Sequence, residues 1–195
     1  MTRFGIAVAA LIVLGLIALA SMVRVTGPVA PVATAPKPAA KTGEAAPAVP
    51  VKVGRLVLPV EGVQAAQLAD SWADPRGDGT RTHHVIDIMA PRGTPVLAAA
   101  DGRIEKLFLS KLGGNTLYER STDGTLVYYY AHLAGYAPGI AEGIQVRAGQ
   151  PIAYVGASGD ASPDAPHLHF EVHLMAPGEG WWQGREVDPY PLLAR

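Results

Sequence analysis

The chain has 195 residues, a net charge of −1 and no cysteine. This length allows one well-cored domain with appended segments, but not two ordinary domains. The balanced charge does not favour nucleic-acid binding, which would need a clustered basic face. Without cysteine, disulfides, thiolate metal sites and a cysteine nucleophile are excluded, so any metal must be held by imidazole and carboxylate groups.

An apolar segment lies near the N-terminus. Residues 4–23 carry no charged side chain and are framed by Arg3 and Arg24. As a helix, such a segment would span ~30 Å, the thickness of a bilayer core. Residues 1–25 are therefore predicted to be a transmembrane anchor. Ala18-Leu19-Ala20 also fits the small-x-small pattern of signal-peptide cleavage, so removal after Ala20 is the alternative. In both cases the rest of the chain is expected to be exported.

A segment rich in proline and alanine follows, with 14 of the 24 positions at 27–50 occupied by these two residue types. Repeated prolines exclude a helix and favour extended polyproline geometry. We predict a disordered linker over residues 26–50, with a reach of ~75 Å when fully extended. The remaining residues, 51–195, form the predicted domain.

Short β-rich segments broken by Gly, Pro and Asp dominate this domain. The predicted strands are residues 96–100, 103–109, 115–120, 125–131, 152–155 and 167–174. Asp-Gly pairs at 101–102 and 123–124 are placed where hairpin turns are expected. Residues 63–72 are only a weak helical candidate. The fold class predicted is mostly β, with antiparallel sheet.

Residues 167–174, HLHFEVHL, alternate polar and apolar side chains with period two. In a strand the four apolar side chains would face the core, while the three histidines and Glu171 would share the opposite face. His167 and His169 would be ~7 Å apart at their backbones, close enough to converge on one site. His173 would be ~13 Å from His169 and is predicted to be a surface residue. Taken alone, the pattern also fits a half-exposed strand without function.

Two further histidines have ambiguous surroundings. His83 precedes Asp87 by four positions, and in a regular strand the two residues would be ~13 Å apart. They can bind one metal only if the loop before Ile86 curls back. His132 lies in the segment YYYAHL between aromatic and aliphatic residues. Taken alone, this setting favours a histidine buried in the core.

In chain order these segments resemble the lysostaphin/LytM-type zinc metallopeptidases, a family of murein endopeptidases with the duplicated-hybrid-motif fold. The resemblance covers roughly residues 55–190. The matching segments are RTHHVID at 81–87, APRGTPV at 90–96, AADG at 99–102, GGNT at 113–116, YAHL at 130–133, VRAGQPI at 146–152 and HLHFE at 167–171.

The resemblance implies a function and a set of site residues. It implies a Zn²⁺ cofactor with His83, Asp87 and His169 as ligands, and His132 and His167 as the catalytic pair. The implied reaction is endopeptidase cleavage of peptide cross-links in bacterial peptidoglycan, by zinc-activated water with acid/base assistance from the histidines. Candidate substrate contacts are Asn115 and Tyr130, and Glu171 is a candidate outer partner for an imidazole. The expected location is the cell envelope, with the domain in the periplasm, held by an inner-membrane anchor or secreted.

Two features depart from the family pattern. Val85 stands where a Gly is usual, and if that position needs a positive φ, valine would strain the loop that carries His83. Residues 158–166 are longer and more acidic than expected. The alternative function is a non-catalytic envelope module that binds cell wall or activates another hydrolase. A biotinyl- or lipoyl-carrier domain is disfavoured, because no lysine has the setting that such carriers need.

Overall fold

The computed structural model describes residues 54–72, 75–76, 81–82 and 84–193. The predicted anchor, the predicted linker and His83 lie outside these residues. Within the described part of the chain, no helix has both the length and the apolar character needed to cross a membrane.

The described residues form twelve strands and two short helical segments, which confirms a mostly β, antiparallel fold. The strands are β1 Pro75–Arg76, β2 Arg81–Thr82, β3 Ile86–Met89, β4 Pro95–Leu97, β5 Gly102–Ser110, β6 Gly114–Ser121, β7 Leu126–Leu133, β8 Gly135–Tyr136, β9 Gln145–Val146, β10 Pro151–Tyr154, β11 His167–Leu174 and β12 Arg185–Val187. A 3-10 turn, Ala65–Gln67, is all that forms of the weak helical candidate, and a short α1, Tyr190–Leu193, follows β12.

The largest sheet has seven antiparallel strands and carries the predicted site. Its order is β12-β11-β7-β6-β5-β9, and β3 pairs with β11 beside β12. Strand β11 is therefore central: β7 covers one edge, while β3 and β12 share the other. A second sheet, β4-β10-β8, has three strands, and β1 pairs with β2.

One Asp-Gly hairpin was predicted correctly and the other was not. Asp123 and Gly124 lie in the turn between the paired strands β6 and β7, where Gly124 has φ +74° and its N–H donates to Ser121 O at 2.9 Å. The prediction at 101–102 is wrong, because Gly102 begins β5, and β5 pairs with β6 and β9 rather than with β4. The chain passes there from one sheet to the other, and β4 is accordingly shorter than the predicted strand at 96–100.

The hydrophobic core lies against one face of the large sheet. Leu168, Phe170 and Val172 of β11 are fully buried in it, as the period-two pattern predicts. Tyr128 and Tyr130 of β7 join them there, and the Tyr130 ring packs on Phe170 at a centroid distance of 5.2 Å. Each sheet strand thus presents alternate side chains to the core and to the opposite face, where the histidines of β11 lie.

Candidate active site

Strand pairing brings two predicted zinc ligands together. In the antiparallel register, His169 of β11 lies directly opposite Asp87 of β3 and, on its other side, opposite Ala131 of β7. Residues directly opposite in a ladder project to the same face with Cβ atoms ~5 Å apart. Asp87 therefore joins the face of β11 that carries His167 and His169.

The Asp87 and His169 side chains meet at a distance that suits a shared metal ion. Nδ1 of His169 lies 3.2 Å from Oδ1 of Asp87, and Nε2 of His167 lies 3.9 Å from the same oxygen. Zinc bonds to nitrogen and oxygen are ~2 Å long, so two donors about 3 Å apart can bind one ion. An imidazole and a carboxylate are also donor types that zinc accepts. Among the described residues no three His, Asp or Glu side chains form a complete metal-binding group, and the third predicted ligand, His83, is not among those residues.

His132, which is predicted to be catalytic together with His167, lies beside His167 and His169. Its ring centroid is 4.9 Å from that of His167 and 5.4 Å from that of His169. Among the described non-glycine residues, it alone has a positive φ, +58°. This conformation costs roughly 1–2 kcal/mol for a side chain with a Cβ, and such strain is concentrated at functional sites. His132 is buried, with 7% of the residue exposed, and its ring packs against the two histidine rings of β11.

Backbone carbonyls select the same tautomer for His132 and His167. Nδ1 of His132 donates to Ser158 O at 2.8 Å, and Nδ1 of His167 donates to Ala165 O at 2.9 Å. A carbonyl oxygen only accepts, so each neutral ring carries its proton on Nδ1 and has an unprotonated Nε2. Burial lowers the pKa of His132, and the Ser158 carbonyl only partly opposes this effect. A neutral imidazole with an available Nε2 can accept a proton from water.

The loop that carries Ser158 is held by direct backbone packing. The Ser158 hydroxyl donates to Leu133 O at 2.7 Å and accepts the Asn115 N–H at 3.0 Å. Gly114 and Gly159 have φ +64° and +80°, and a Cβ on Gly159 would lie 2.4 Å from Gly114 N. Only glycine permits so close an approach of two backbones. The start of the segment 158–166, which departs from the family pattern in length, is thus what orients His132.

Glu171 connects His169 to His173 on the same face of β11. Its Oε1 lies 2.8 Å from Nε2 of His169, and its Oε2 lies 2.7 Å from Nε2 of His173. Burial would lower the pKa of His169, but hydrogen bonds and charges from Asp87 and Glu171 outweigh it and raise the pKa to about 9. Burial would likewise raise the pKa of Glu171, yet its two imidazole partners lower it to about 2. The prediction of His173 as a surface residue is wrong, because its side chain is only 15% exposed and bonds Glu171.

The comparison with protein families identifies the domain. Residues 81–189 match the family described as Peptidase family M23, and this region is more than half of the chain. The chain belongs to peptidase family M23. The resemblance predicted from the ordered motifs is therefore confirmed.

Relatives within the M23 family share the region but are longer proteins. The chain is 36% identical over 129 residues to the L-Ala–D-Glu endopeptidase of Bacillus subtilis (strain 168), a match that covers 63% of this chain and 38% of that protein. It is 42% identical over 111 residues to the DD-carboxypeptidase/endopeptidase Mpg of Neisseria meningitidis serogroup B, covering 56% of this chain and 22% of Mpg. The match thus spans well under half the length of either relative.

A solved peptidase structure shows the same fold. The catalytic domain of the antimicrobial peptidase lysostaphin from Staphylococcus simulans superposes with a TM-score of 0.52 at 28% identity. The match covers 66% of this chain and 99% of that domain. Nearly all of the lysostaphin catalytic domain therefore has its counterpart within this chain.

Of the two predicted substrate-contact residues, Tyr130 is not placed as expected. Tyr130 is fully buried, its hydroxyl donates to Glu119 at 2.5 Å, and it accepts the Ala99 N–H at 2.9 Å. It faces the core, so a direct contact with substrate is contradicted. Asn115 is partly buried beside Ser158, and its side-chain amide donates to Leu133 O at 3.2 Å.

Tyr129, which no sequence motif singles out, is the tyrosine that faces the histidines. It pairs directly with Glu171 across β7 and β11, and its ring meets the His169 ring edge-on at 6.0 Å. Period-two alternation along β7 would predict this position. Because Tyr128 and Tyr130 face the core, Tyr129 between them must face the site.

Val85 and His84 have structural roles next to β3. Val85 is buried and does not have a positive φ, so the strain expected from replacing a glycine is absent. Its carbonyl accepts the Ser71 hydroxyl at 3.1 Å. His84, for which the sequence indicated no role, stacks on Trp72 at 4.7 Å, and its Nδ1 lies 2.6 Å from a carboxylate oxygen of Glu186.

Proposed function

We propose that this chain is a zinc metalloendopeptidase that cleaves peptide cross-links of bacterial peptidoglycan. The observation that carries the proposal is the 3.2 Å contact between Asp87 and His169 beside the rings of His132 and His167. Membership of peptidase family M23 supports a peptidase. The peptidoglycan substrate is supported by the relatives named L-Ala–D-Glu endopeptidase and DD-carboxypeptidase/endopeptidase.

His83, Asp87 and His169 would hold the zinc ion. Two imidazoles and one carboxylate form a donor set found in catalytic zinc sites, which keep a fourth position for water or substrate. Bound zinc would supply Lewis acidity, which polarises a carbonyl group and makes water easier to deprotonate. Glu171 would orient His169 through its Nε2, as carboxylates commonly do behind a zinc-bound histidine.

His132 and His167 would perform the proton transfers. Each neutral ring has an unprotonated Nε2 because its Nδ1 donates to a backbone carbonyl. One of the two would accept the proton of the attacking water as general base. An imidazolium at the same place would stabilise the developing oxyanion or protonate the leaving amine. Fixing both rings through the backbone keeps their Nε2 atoms oriented without a further side chain.

We further propose that the domain, residues 51–195, acts in the cell envelope. Residues 1–25 would anchor it in the inner membrane, or direct its secretion into the periplasm if cleavage follows Ala20. The Pro- and Ala-rich linker, 26–50, would let an anchored domain reach the wall. The bond we favour is the one between D-Ala and a diamino acid, because the anchor and linker suit a periplasm bounded by an inner membrane. The name of the relative Mpg, a DD-carboxypeptidase/endopeptidase, agrees with this choice.

The test is a measurement of zinc content and bond cleavage on the full 195-residue chain. We expect about one zinc per chain and release of new amine termini from purified peptidoglycan, with both lost in His169→Ala. The identity of the new N-terminal residue reports which bond is cut. Zinc binding without release of new amine termini would overturn the proposed peptidase activity. It would support the alternative, a non-catalytic envelope module. Release that continues in a zinc-free protein would overturn the metal mechanism.

A further inference from the structure

A continuous row of aromatic rings leads away from the candidate site. Tyr129 touches His169 edge-on, with ring centroids 6.0 Å apart, and packs against Tyr118 at 4.7 Å. Tyr118 in turn packs against Trp181 at 4.6 Å, and Trp181 meets Trp182 in a T-shaped contact at 5.4 Å. Trp181 and Trp182 lie in the loop between β11 and β12. The row of rings therefore connects the site to this loop.

The loop is ordered by contacts of its own. Gly180 N–H donates to the Gln183 side chain at 2.8 Å, and Gln183 N–H donates back to Gly180 O at 3.0 Å. The Arg120 guanidinium donates to Glu179 O at 3.1 Å and so ties the loop to β6. A Cβ on Gly180 would lie 2.5 Å from the Trp182 ring, so this indole lies directly over the glycine backbone.

Trp182 remains exposed within this ordered loop. It is 44% exposed, and it is the one aromatic residue among the exposed large hydrophobic side chains of the described residues. Trp181 beneath it is half-buried against Tyr118 and Phe108. An exposed indole that is fixed from below offers a flat apolar face at little entropic cost, which is a common feature of binding surfaces.

We propose that Trp182, supported by Trp181, forms a subsite for the glycan strand of peptidoglycan. This inference rests on the proposed function. A pyranose ring exposes C–H groups on its faces and hydroxyl or acetamide groups at its edge, so it can stack on an indole and remain hydrated at its rim. Stacking of this kind would hold the polymer while its peptide reaches the histidines along the aromatic row.

The charges around the loop favour a neutral sugar over a charged stem peptide. Arg120, the cation that contacts the loop, is already paired with Glu105 at 2.7 Å. The Glu179 carboxylate accepts the Ala176 N–H at 2.8 Å within the loop. Peptide carboxylates and amines would compete with these existing pairs, whereas an N-acetylhexosamine needs only the indole face and water.

The direct test is a titration of the full chain with the tetramer of N-acetylglucosamine, followed by NMR of the indole N–H signals. The chain has three tryptophans. We expect the Trp181 and Trp182 signals to shift while the Trp72 signal, from an indole stacked on His84, stays in place. Trp182→Ala should abolish the Trp181 shift, and Trp182→Phe should retain part of it. A titration in which no signal moves, or in which all three move together, would overturn the subsite.

Kinetics provide the second test. Trp182→Ala should lower kcat/KM about tenfold more for intact peptidoglycan than for the same cross-linked peptide freed from its glycan, as expected for loss of one central aromatic anchor. Leu109→Ala is the matched control, because Leu109 is an exposed apolar residue on β5 and is 61% exposed; it should change neither value. An equal loss on both substrates would overturn the subsite. If the unmodified chain cleaves neither substrate, the proposed function fails, while the titration, which needs no turnover, still decides the glycan subsite.

Discussion

Nδ1 of His169 lies 3.2 Å from Oδ1 of Asp87. The contact follows from the pairing of β3 with β11, which places these two residues directly opposite each other. A shift of one residue in this register would turn Asp87 to the core face and separate the two side chains. The geometry of the candidate metal site is therefore determined by the same backbone ladder that forms the centre of the sheet.

The first prediction concerns Asp87 and His169, the two proposed zinc ligands that the structure describes. Asp87→Ala and His169→Ala should each lower the zinc affinity by more than ~100-fold, because loss of a ligand exceeds the effect of losing an outer partner. Both should also abolish the release of amine termini from peptidoglycan. Bound zinc is measured by metal analysis after dialysis. Asp164→Ala, which removes an exposed carboxylate in the 158–166 segment, is the control and should keep its zinc. Normal zinc binding in both ligand variants would refute the site.

The second prediction concerns the hydrogen bond between Glu171 and Nε2 of His169. Glu171→Gln should weaken zinc binding by ~10–100-fold, because the amide keeps the shape of the side chain but loses the charge that orients the imidazole. Competition with a chromophoric chelator measures the affinity. The matched control is Glu186→Gln, since Glu186 also contacts a histidine at 2.6 Å, but that histidine is His84, which is not a proposed zinc ligand. Equal affinities in the two variants would show that Glu171 does not act through His169.

The third prediction concerns the close backbone packing of Gly159, which holds the loop that carries Ser158. A Cβ on Gly159 would lie 2.0 Å from Leu112 O, whereas a Cβ on Gly124 would meet nothing within 4 Å, although both glycines have positive φ. Gly124→Ala should cost only the ~1–2 kcal/mol of a left-handed residue, and Gly159→Ala should cost a further ~1–3 kcal/mol. Thermal unfolding measures the difference. Equal losses of stability would show that the loop can move away without penalty.

The fourth prediction concerns Glu119, a carboxyl group buried in the core. Burial raises the pKa of Glu119 from its ordinary value of 4.5 to about 7, although the Tyr130 hydroxyl bond lowers it. The folded state therefore binds this proton more tightly than the unfolded chain does, and its contribution to stability is lost as the pH rises from about 4.5 through 7.

Glu119→Gln cannot ionise and should escape this loss. Relative to the unmodified chain, its free energy of unfolding should gain about 3 kcal/mol between pH 4 and pH 8, at 1.36 kcal/mol per pKa unit. Chemical denaturation at the two pH values measures it. Glu142→Gln, at an exposed glutamate paired with Lys106, should show no such gain above pH 5. A pH-independent difference for Glu119→Gln would mean that Glu119 titrates normally in the fold.

The sequence predicted strand β11 with its correct ends and faces. Its period-two alternation places apolar side chains in the core and histidines on the other face, so the face that each residue occupies follows from its parity. The same reasoning, applied to β7, would have selected Tyr129 over Tyr130. The YAHL motif points to Tyr130 instead, because a motif alone does not say which face of the sheet a residue occupies.

Asp-Gly pairs predict hairpin turns less reliably here than period-two alternation predicts strands. The Asp-Gly pairs at 101–102 and 123–124 look alike in sequence, yet only the second connects two strands that pair with each other. Whether adjacent strands pair depends on which sheet each strand joins. That choice depends on burial over the whole domain, and so it is not encoded within a few residues.

The amino-acid sequence by itself determined the family, the β class and the ordered set of histidines with Asp87, because periodicity and motif spacing are local properties of the chain. Only the tertiary structure decided the pairing of Asp87 with His169, the tautomers set by the carbonyls of Ser158 and Ala165, and the burial of Tyr130. Each of these depends on contacts between residues far apart in the sequence. Such contacts exist only after the strands have paired in one register and the loops have packed against them.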